Sequence, residues 1–190
     1  VKRIALLLAV AALSSFAGDF KVGADAAGLL AIPSFSGDDS PDSKLGFGGK
    51  IAIAGQYDVN EQFAVRASAG YLLTTWGFKE SFGGETFNVD ATSHFVTIGA
   101  DAVYKPISKL QVLAGPSVDI PVAGSYSGDG SGDIKNDQTS FLVEAGLGYE
   151  VAPAVTINAK YRLPVTSYID NNGSQVKLHQ VQVGVSYNFN

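Results

Sequence analysis

Gln180-Val181-Gln182-Val183-Gly184-Val185-Ser186-Tyr187-Asn188-Phe189-Asn190 places an apolar residue at every odd position and a small or polar one at every even position. A period of two is strand periodicity, because successive side chains point to opposite faces. The odd face, Val181, Val183, Val185, Tyr187 and Phe189, turns aromatic towards Phe189, as a lipid-facing strand does where it reaches a membrane interface. The stretch therefore reads as the closing strand of a transmembrane β-barrel. An ordinary half-buried strand alternates in the same way, so the remaining strands decide.

Seven further segments carry the same alternation. Strand 1, Phe20 to Leu30, sets Phe20, Val22, Ala24, Ala26 and Leu30 against Lys21, Gly23, Asp25 and Ala27. Strand 2, Lys44 to Tyr57, sets Leu45, Phe47, Ile51, Ile53 and Tyr57 against Lys44, Gly48, Lys50 and Gln56. Strand 3, Phe63 to Thr75, sets Phe63, Val65, Ala67, Ala69, Tyr71 and Leu73 against Arg66, Ser68 and Thr74. Strand 4, His94 to Lys105, admits two registers. The one with His94, Val96, Ile98, Ala100, Ala102 and Tyr104 together puts Asp101 opposite and is adopted.

Strand 5, Leu110 to Ile120, sets Leu110, Val112, Ala114, Val118 and Ile120 against Gln111, Gly115, Ser117 and Asp119. Its Pro116 has no N–H for the ladder and is expected to mark a bulge. Strand 6, Ser140 to Glu150, sets Phe141, Val143, Ala145, Leu147 and Tyr149 against Glu144 and Glu150. Strand 7, Val155 to Val165, sets Val155, Ile157, Ala159, Tyr161 and Leu163 against Asn158, Lys160 and Arg162.

Loops are expected at 32–43, 76–92, 121–138 and 166–174, and short turns at 58–62, 106–109 and 151–154. Long and short connections alternate, so all the long ones leave one rim, as in outer-membrane barrels. The faces taken as outward carry no Asp, Glu, Lys or Arg, whereas the opposite faces carry Asp25, Lys50, Arg66, Asp101, Glu144, Lys160 and Arg162. A soluble lipocalin-like barrel would show the reverse, so the solvent outside is lipid. Phe20, Tyr57, Phe63, Tyr104, Tyr149, Tyr187 and Phe189 gather at the short-turn end of the outward faces, where an interfacial aromatic girdle belongs. The expected fold is an all-β, eight-stranded, antiparallel up-and-down transmembrane barrel.

Composition narrows the function. The 190-residue chain has a net charge of −5, which leaves no basic footprint for nucleic acid. It has no cysteine, so disulfides and thiolate metal sites are excluded. Lys2 and Arg3, the apolar run Ile4 to Leu13 and the small-x-small site Ser15-Phe16-Ala17 read as a signal peptide over residues 1–17, with the barrel domain over 18–190.

With these features in view, the chain resembles the small outer-membrane β-barrel superfamily typified by the OmpA transmembrane domain and OmpX. Leu113-Ala114-Gly115-Pro116-Ser117 is similar to a Gly-Pro segment of such families. Val185-Ser186-Tyr187-Asn188-Phe189 is similar to their C-terminal assembly signal, which usually ends on the aromatic, whereas here Asn190 follows. The resemblance implies a bacterial outer-membrane location, the barrel-assembly machinery as a partner in biogenesis and a monomeric state.

An eight-stranded barrel is only wide enough inside for side chains. The inward charges are expected to form a lumenal network, Lys50, Arg66, Lys160 and Arg162 facing Asp25, Asp101 and Glu144. The preferred role is structural or surface-interacting, without cofactor or catalysis, with a host or surface protein as a partner for the long loops. A narrow pore for ions or small solutes is the alternative, and a lipid A-modifying enzyme the third reading. For the enzyme, Ser93 adjoins His94, but strand neighbours point to opposite faces, and His179 has no serine on its own face two residues on. Both histidines are expected near the outer rim. Asp129, Asp133, Asn136 and Asp137 offer oxygen ligands for Ca²⁺ without a recognised spacing. Trp76, Phe78, Phe82 and Phe87 form either a contact surface or an upper lipid-interface anchor.

Overall fold

The structure, a computed structural model, describes residues 20–36, 41–82, 85–129, 131–134, 138–171 and 174–189, without the side chains of residues 81, 82, 171 and 174. The expected signal peptide over residues 1–17 lies outside the described residues. The strands are β1 (Phe20–Ser36), β2 (Asp42–Lys44), β3 (Gly46–Asp58), β4 (Phe63–Phe82), β5 (Glu85–Ile107), β6 (Leu110–Gly128), β7 (Gly132–Asp133), β8 (Ser140–Ala152), β9 (Val155–Pro164), β10 (Ile169–Asn171) and β11 (Ser174–Asn188). Eight of them form a ring in the order β1-β3-β4-β5-β6-β8-β9-β11, each antiparallel to its neighbours. The ring closes where β11 pairs β1 from Gly23↔Asn188 to Ser36↔Gln175. The short strands β2, β7 and β10 pair onto β4, β6 and β11 at the long-loop end.

Every register follows the alternation, including the one chosen for the fourth strand. Val96, Ile98 and Tyr104 are exposed on the outer wall while Asp101 and Val103 are buried inside. The outer wall is a continuous apolar surface; Phe47, Ile51, Val65, Leu147, Ile157 and Val183 are among its exposed side chains. Such a patch in water would drive association, but against lipid it costs nothing.

Two expectations are corrected. Pro116 makes no bulge: the register runs unshifted from Gly99↔Ser117 to Ala102↔Ala114 on one side and through Pro116↔Val143 on the other. The missing N–H removes a rung without adding a residue. The chain packs so tightly there that a Cβ on Gly115 would stand 1.8 Å from the Ala100 carbonyl oxygen. The register shifts fall instead between His94 and Phe95, between Tyr104 and Ile107, and between Glu150 and Ala152.

The expected loops are largely strand as well. Much of 32–43, 76–92 and 121–138 is strand, since β1 runs to Ser36, β4 and β5 stay paired up to Phe82↔Glu85, and β6 continues to Gly128. Alternation persists there with its sign reversed. Leu72, Trp76, Ala91 and Phe95 are buried inside, while Thr75, Lys79 and Asp90 face out. Above the membrane the solvent is water, so the barrel wall takes the polarity of a soluble one.

The β8–β9 turn holds Ala154 at φ 68°, in the left-handed region, directly after Pro153. Pro followed by a left-handed residue is the type II arrangement, which favours Gly at the second position. A Cβ in that region costs about 1 kcal/mol. Ala154→Gly is expected to stabilise the barrel by up to about 1 kcal/mol in urea unfolding from lipid vesicles; a destabilised variant would contradict the strain assigned to this turn.

Candidate functional site: the lumen

Inward side chains fill the barrel in layers. At the short-turn rim, Asp58 accepts from Lys21 Nζ at 2.8 Å, Lys105 Nζ at 2.8 Å and Gln56 Nε2 at 2.8 Å. One carboxylate thus ties β1, β3 and β5. Further in, Arg66 Nη2 pairs with Asp25 Oδ1 across β4 and β1. Lys50 lies beside them, 7 % exposed, and lines a cavity of about 30 Å³ with Asp25, Gln56, Arg66 and Lys160. No carboxylate of the described residues lies within ion-pair distance of Lys50, and the cavity has room for water to solvate its ammonium.

The centre is Arg162, with its side chain 0 % exposed. Its Nε donates to Glu144 Oε1 at 2.7 Å. Nη1 donates to Asp119 Oδ2 at 3.0 Å and Gln180 Oε1 at 2.7 Å. Nη2 donates to Asp119 Oδ1 at 2.8 Å, Ser117 Oγ at 3.1 Å and Thr97 Oγ1 at 3.3 Å. The guanidinium fork grips Asp119 with both terminal nitrogens, the geometry in which Arg binds carboxylate most strongly. Lys160 Nζ pairs with Asp101 Oδ2 and reaches Glu144 Oε2 at 3.3 Å. Asp25, Lys50, Arg66, Asp101, Glu144, Lys160 and Arg162 therefore all lie in the lumen. Asp119, Thr97, Ser117 and Gln180 complete the set, although alternation marks only their face and not their partner.

Above Arg162 the lumen becomes apolar. Leu29, Ala31, Leu72, Trp76, Ala91, Phe95, Tyr168, Val176 and Leu178 form one buried cluster, with Phe35, Phe78, Ile134 and Ile169 packed on it. Tyr168, 1 % exposed, is carried in by the segment after Pro164. Its backbone N–H donates to Val176 O at 2.7 Å, and its carbonyl accepts from Gln138 N at 2.7 Å. Its ring meets Phe95 at 5.1 Å and Trp76 at 6.2 Å, both edge-on. Trp76 Nε1 donates to Ser93 Oγ at 2.9 Å, and Tyr168 Oη donates to the same oxygen at 3.1 Å. The two polar tips of the aromatic cap are thereby satisfied inside an apolar layer.

The remaining candidates are dispersed. Ser93 lies in the lumen and His94 on the outer wall against Tyr71, so no Ser–His pair forms. Trp76 is buried in the plug and Phe78 packs against it, which corrects both readings offered for them; Phe87 is exposed, and the side chain of Phe82 is outside the described residues. Asp129 accepts the Asn88 N–H at 2.7 Å, Asp133 sits on β7, and Asn136 and Asp137 are outside the described residues. Among the described residues, no three His, Cys, Asp or Glu side chains converge on a metal position. Tyr57, Phe63, Tyr104, Tyr149, Tyr187 and Phe189 are exposed on the outer wall at the short-turn end, with Phe20 half-buried among them and Phe63 stacked on Tyr104 at 5.1 Å.

Because Arg162 holds two buried carboxylates, its removal leaves Asp119 unpaired and Glu144 with Lys160 alone. Arg162→Met is expected to cost about 3–5 kcal/mol, and adding Asp119→Asn and Glu144→Gln to recover much of that loss. Urea unfolding from lipid vesicles measures both; a loss well below 1 kcal/mol for the single variant would contradict the network's assigned weight.

The family model for the outer membrane protein beta-barrel domain matches residues 4–189. Among solved structures, Ail, the attachment invasion locus protein of Yersinia pestis, aligns over 89% of this chain and 98% of its own, at 20% identity and a TM-score of 0.55. Ail in complex with the heparin analogue sucrose octasulfate aligns over 90% of this chain and 99% of its own, at 21% identity and a TM-score of 0.54. The outer membrane protein OprG of Pseudomonas aeruginosa aligns over 89% of this chain and 96% of its own, at 14% identity and a TM-score of 0.51. These likenesses carry the fold. No curated protein matches the chain in sequence. A closed ring of eight strands with lipid polarity outside and the family match over nearly its whole length place this chain in the outer membrane protein beta-barrel domain family, in the bacterial outer membrane.

Proposed function

We propose that this protein is a non-conducting, non-catalytic barrel that anchors its long-loop rim at the cell surface for a structural or surface-interaction role. The observation that carries the reading is the apolar plug of Trp76, Phe95, Tyr168 and their neighbours, which lies across the lumen above the Arg162 network. An ion entering from the short-turn rim would meet the paired charges first and then a dry layer, where desolvation costs several kcal/mol. The narrow-pore reading draws on the small cavity beside Lys50, below that layer, and on one of about 10 Å³ between Asp119, Gln180, Phe95 and Tyr168.

With the lumen closed, the working surface is the rim. The β4–β5 hairpin, paired as far as Phe82↔Glu85, projects furthest from the belt of the described strands. The described rim is acidic: Asp42, Glu80, Glu85, Asp90, Asp129, Asp133 and Asp170 outnumber Lys44, Lys79 and Lys177. That balance favours a cationic or neutral protein surface as the partner over a polyanion such as the sulfated sugar held by Ail. Biogenesis through the barrel-assembly machinery and a monomeric state complete the proposal, supported by the closed β1–β11 seam, which leaves no strand edge for a second copy to extend.

Refolded protein in planar lipid bilayers is expected to produce no resolved conductance steps. Regular steps in the wild-type protein would reject the closed lumen and favour the pore.

A further inference from the structure

The outer wall carries one arrangement twice. On β4 and β5, Tyr71 faces Val96 and Leu73 faces His94, so Tyr71 and His94 are diagonal neighbours, and Tyr71 Oη contacts His94 Nδ1. On β9 and β11, Tyr161 faces Val181, which sets His179 on the same diagonal, and Tyr161 Oη lies 2.7 Å from His179 Nδ1. These are the chain's two histidines. The β4–β5 and β9–β11 seams are four staves apart in a ring of eight, so the pairs stand on opposite sides of the barrel.

Both pairs lie towards the long-loop end of the apolar belt. Tyr104 and His94 are ten residues apart on β5, and Tyr187 and His179 eight apart on β11. At strand rise and barrel tilt these distances are about 25 Å and about 20 Å above the lower aromatic ring, close to the top of an apolar belt about 25 Å tall. The outward face changes at that level on each strand. Thr92 and Asp90 follow His94, and Lys177 and Gln175 follow His179. The imidazoles mark the boundary between acyl chains and headgroups.

In each pair the tyrosine occupies Nδ1, and Nε2 has no partner among the described residues. A ring nitrogen at the edge of hydrocarbon is costly unless it is hydrogen-bonded. At this height the strong acceptors outside the protein are lipid headgroup oxygens, and phosphate is the charged one. Beside His179, Lys177 adds positive charge on the same face, its Nζ donating to Val165 O at 3.3 Å.

We propose that Tyr71–His94 and Tyr161–His179 are two binding sites for the phosphate of outer-leaflet lipid headgroups. Each tyrosine hydroxyl donates to Nδ1, which fixes the proton on Nε2, and Nε2–H donates to a phosphate oxygen. The sites hold the barrel at a set depth from two sides.

Two histidines make the test clean. Protein labelled with ¹⁵N-histidine and refolded into dimyristoylphosphatidylcholine bilayers is examined by solid-state NMR for tautomer and for ¹⁵N–³¹P dipolar dephasing. Both rings are expected as the Nε2–H tautomer, with Nε2 dephased by ³¹P. Tyr71→Phe is expected to abolish the tautomer preference and most of the dephasing at His94 while leaving His179 unchanged. Absence of dephasing in the wild-type protein, dephasing at one histidine only, or a proton on Nδ1 would each overturn the proposal.

Discussion

Between its two interfaces the chain meets a solvent that offers no hydrogen bonds, so every backbone N–H and C=O there must find its partner within the protein. The β1–β11 seam answers that constraint by turning an eight-stranded sheet into a ring. Closure then fixes the chemistry of each residue, since one face of every strand meets lipid and the other a narrow interior. Charges are tolerated only inside, where they are paired or, as for Lys50, set beside a cavity with room for water. Arg162 draws together β5, β6, β8 and β11 through Thr97, Asp119, Glu144 and Gln180.

The barrel changes character along its axis. Within the membrane the interior is polar and the wall apolar. Above His94 and His179 the wall turns polar and the interior apolar, with Trp76 and Tyr168 capping Ser93. The one strand system thus obeys two solvents in succession, and the second gives the lumen its dry seal. On the proposed reading, that seal moves function to the rim, where the β4–β5 hairpin and the acidic side chains meet the outside.

The strands, their registers and the inward charges were legible in the sequence, because lipid imposes its requirement residue by residue. Val183 and Gln182 declare their faces without reference to any other strand. Glu144, one of the carboxylates expected to face Arg162, does pair with it, but its second partner was not legible in this way: Asp119 is on β6 and Arg162 on β9, with β8 between them, and only the stagger of the closed ring brings them level. Trp76 and Phe78 were misread for a different reason. Their alternation continues that of β4, but with polarity reversed, and a reversed sign next to Gly and Lys looks like a loop. Pro116 misled because a lost rung and an added residue are indistinguishable until the register is seen. The Tyr–His diagonals also depend on register, which places Tyr71 and His94 in contact although 23 residues apart.

The most direct test of the sealed lumen uses the chain's single tryptophan, which lies within the seal. Trp76 fluorescence in lipid vesicles can be challenged by iodide from the water and by brominated acyl chains from the membrane. A buried Trp76, 5 % exposed and enclosed by Phe35, Tyr168 and Ser93, predicts blue-shifted emission that neither agent quenches. Strong quenching by iodide would mean an open mouth, and strong quenching by brominated lipid a tryptophan on the outer wall; either result would contradict the account.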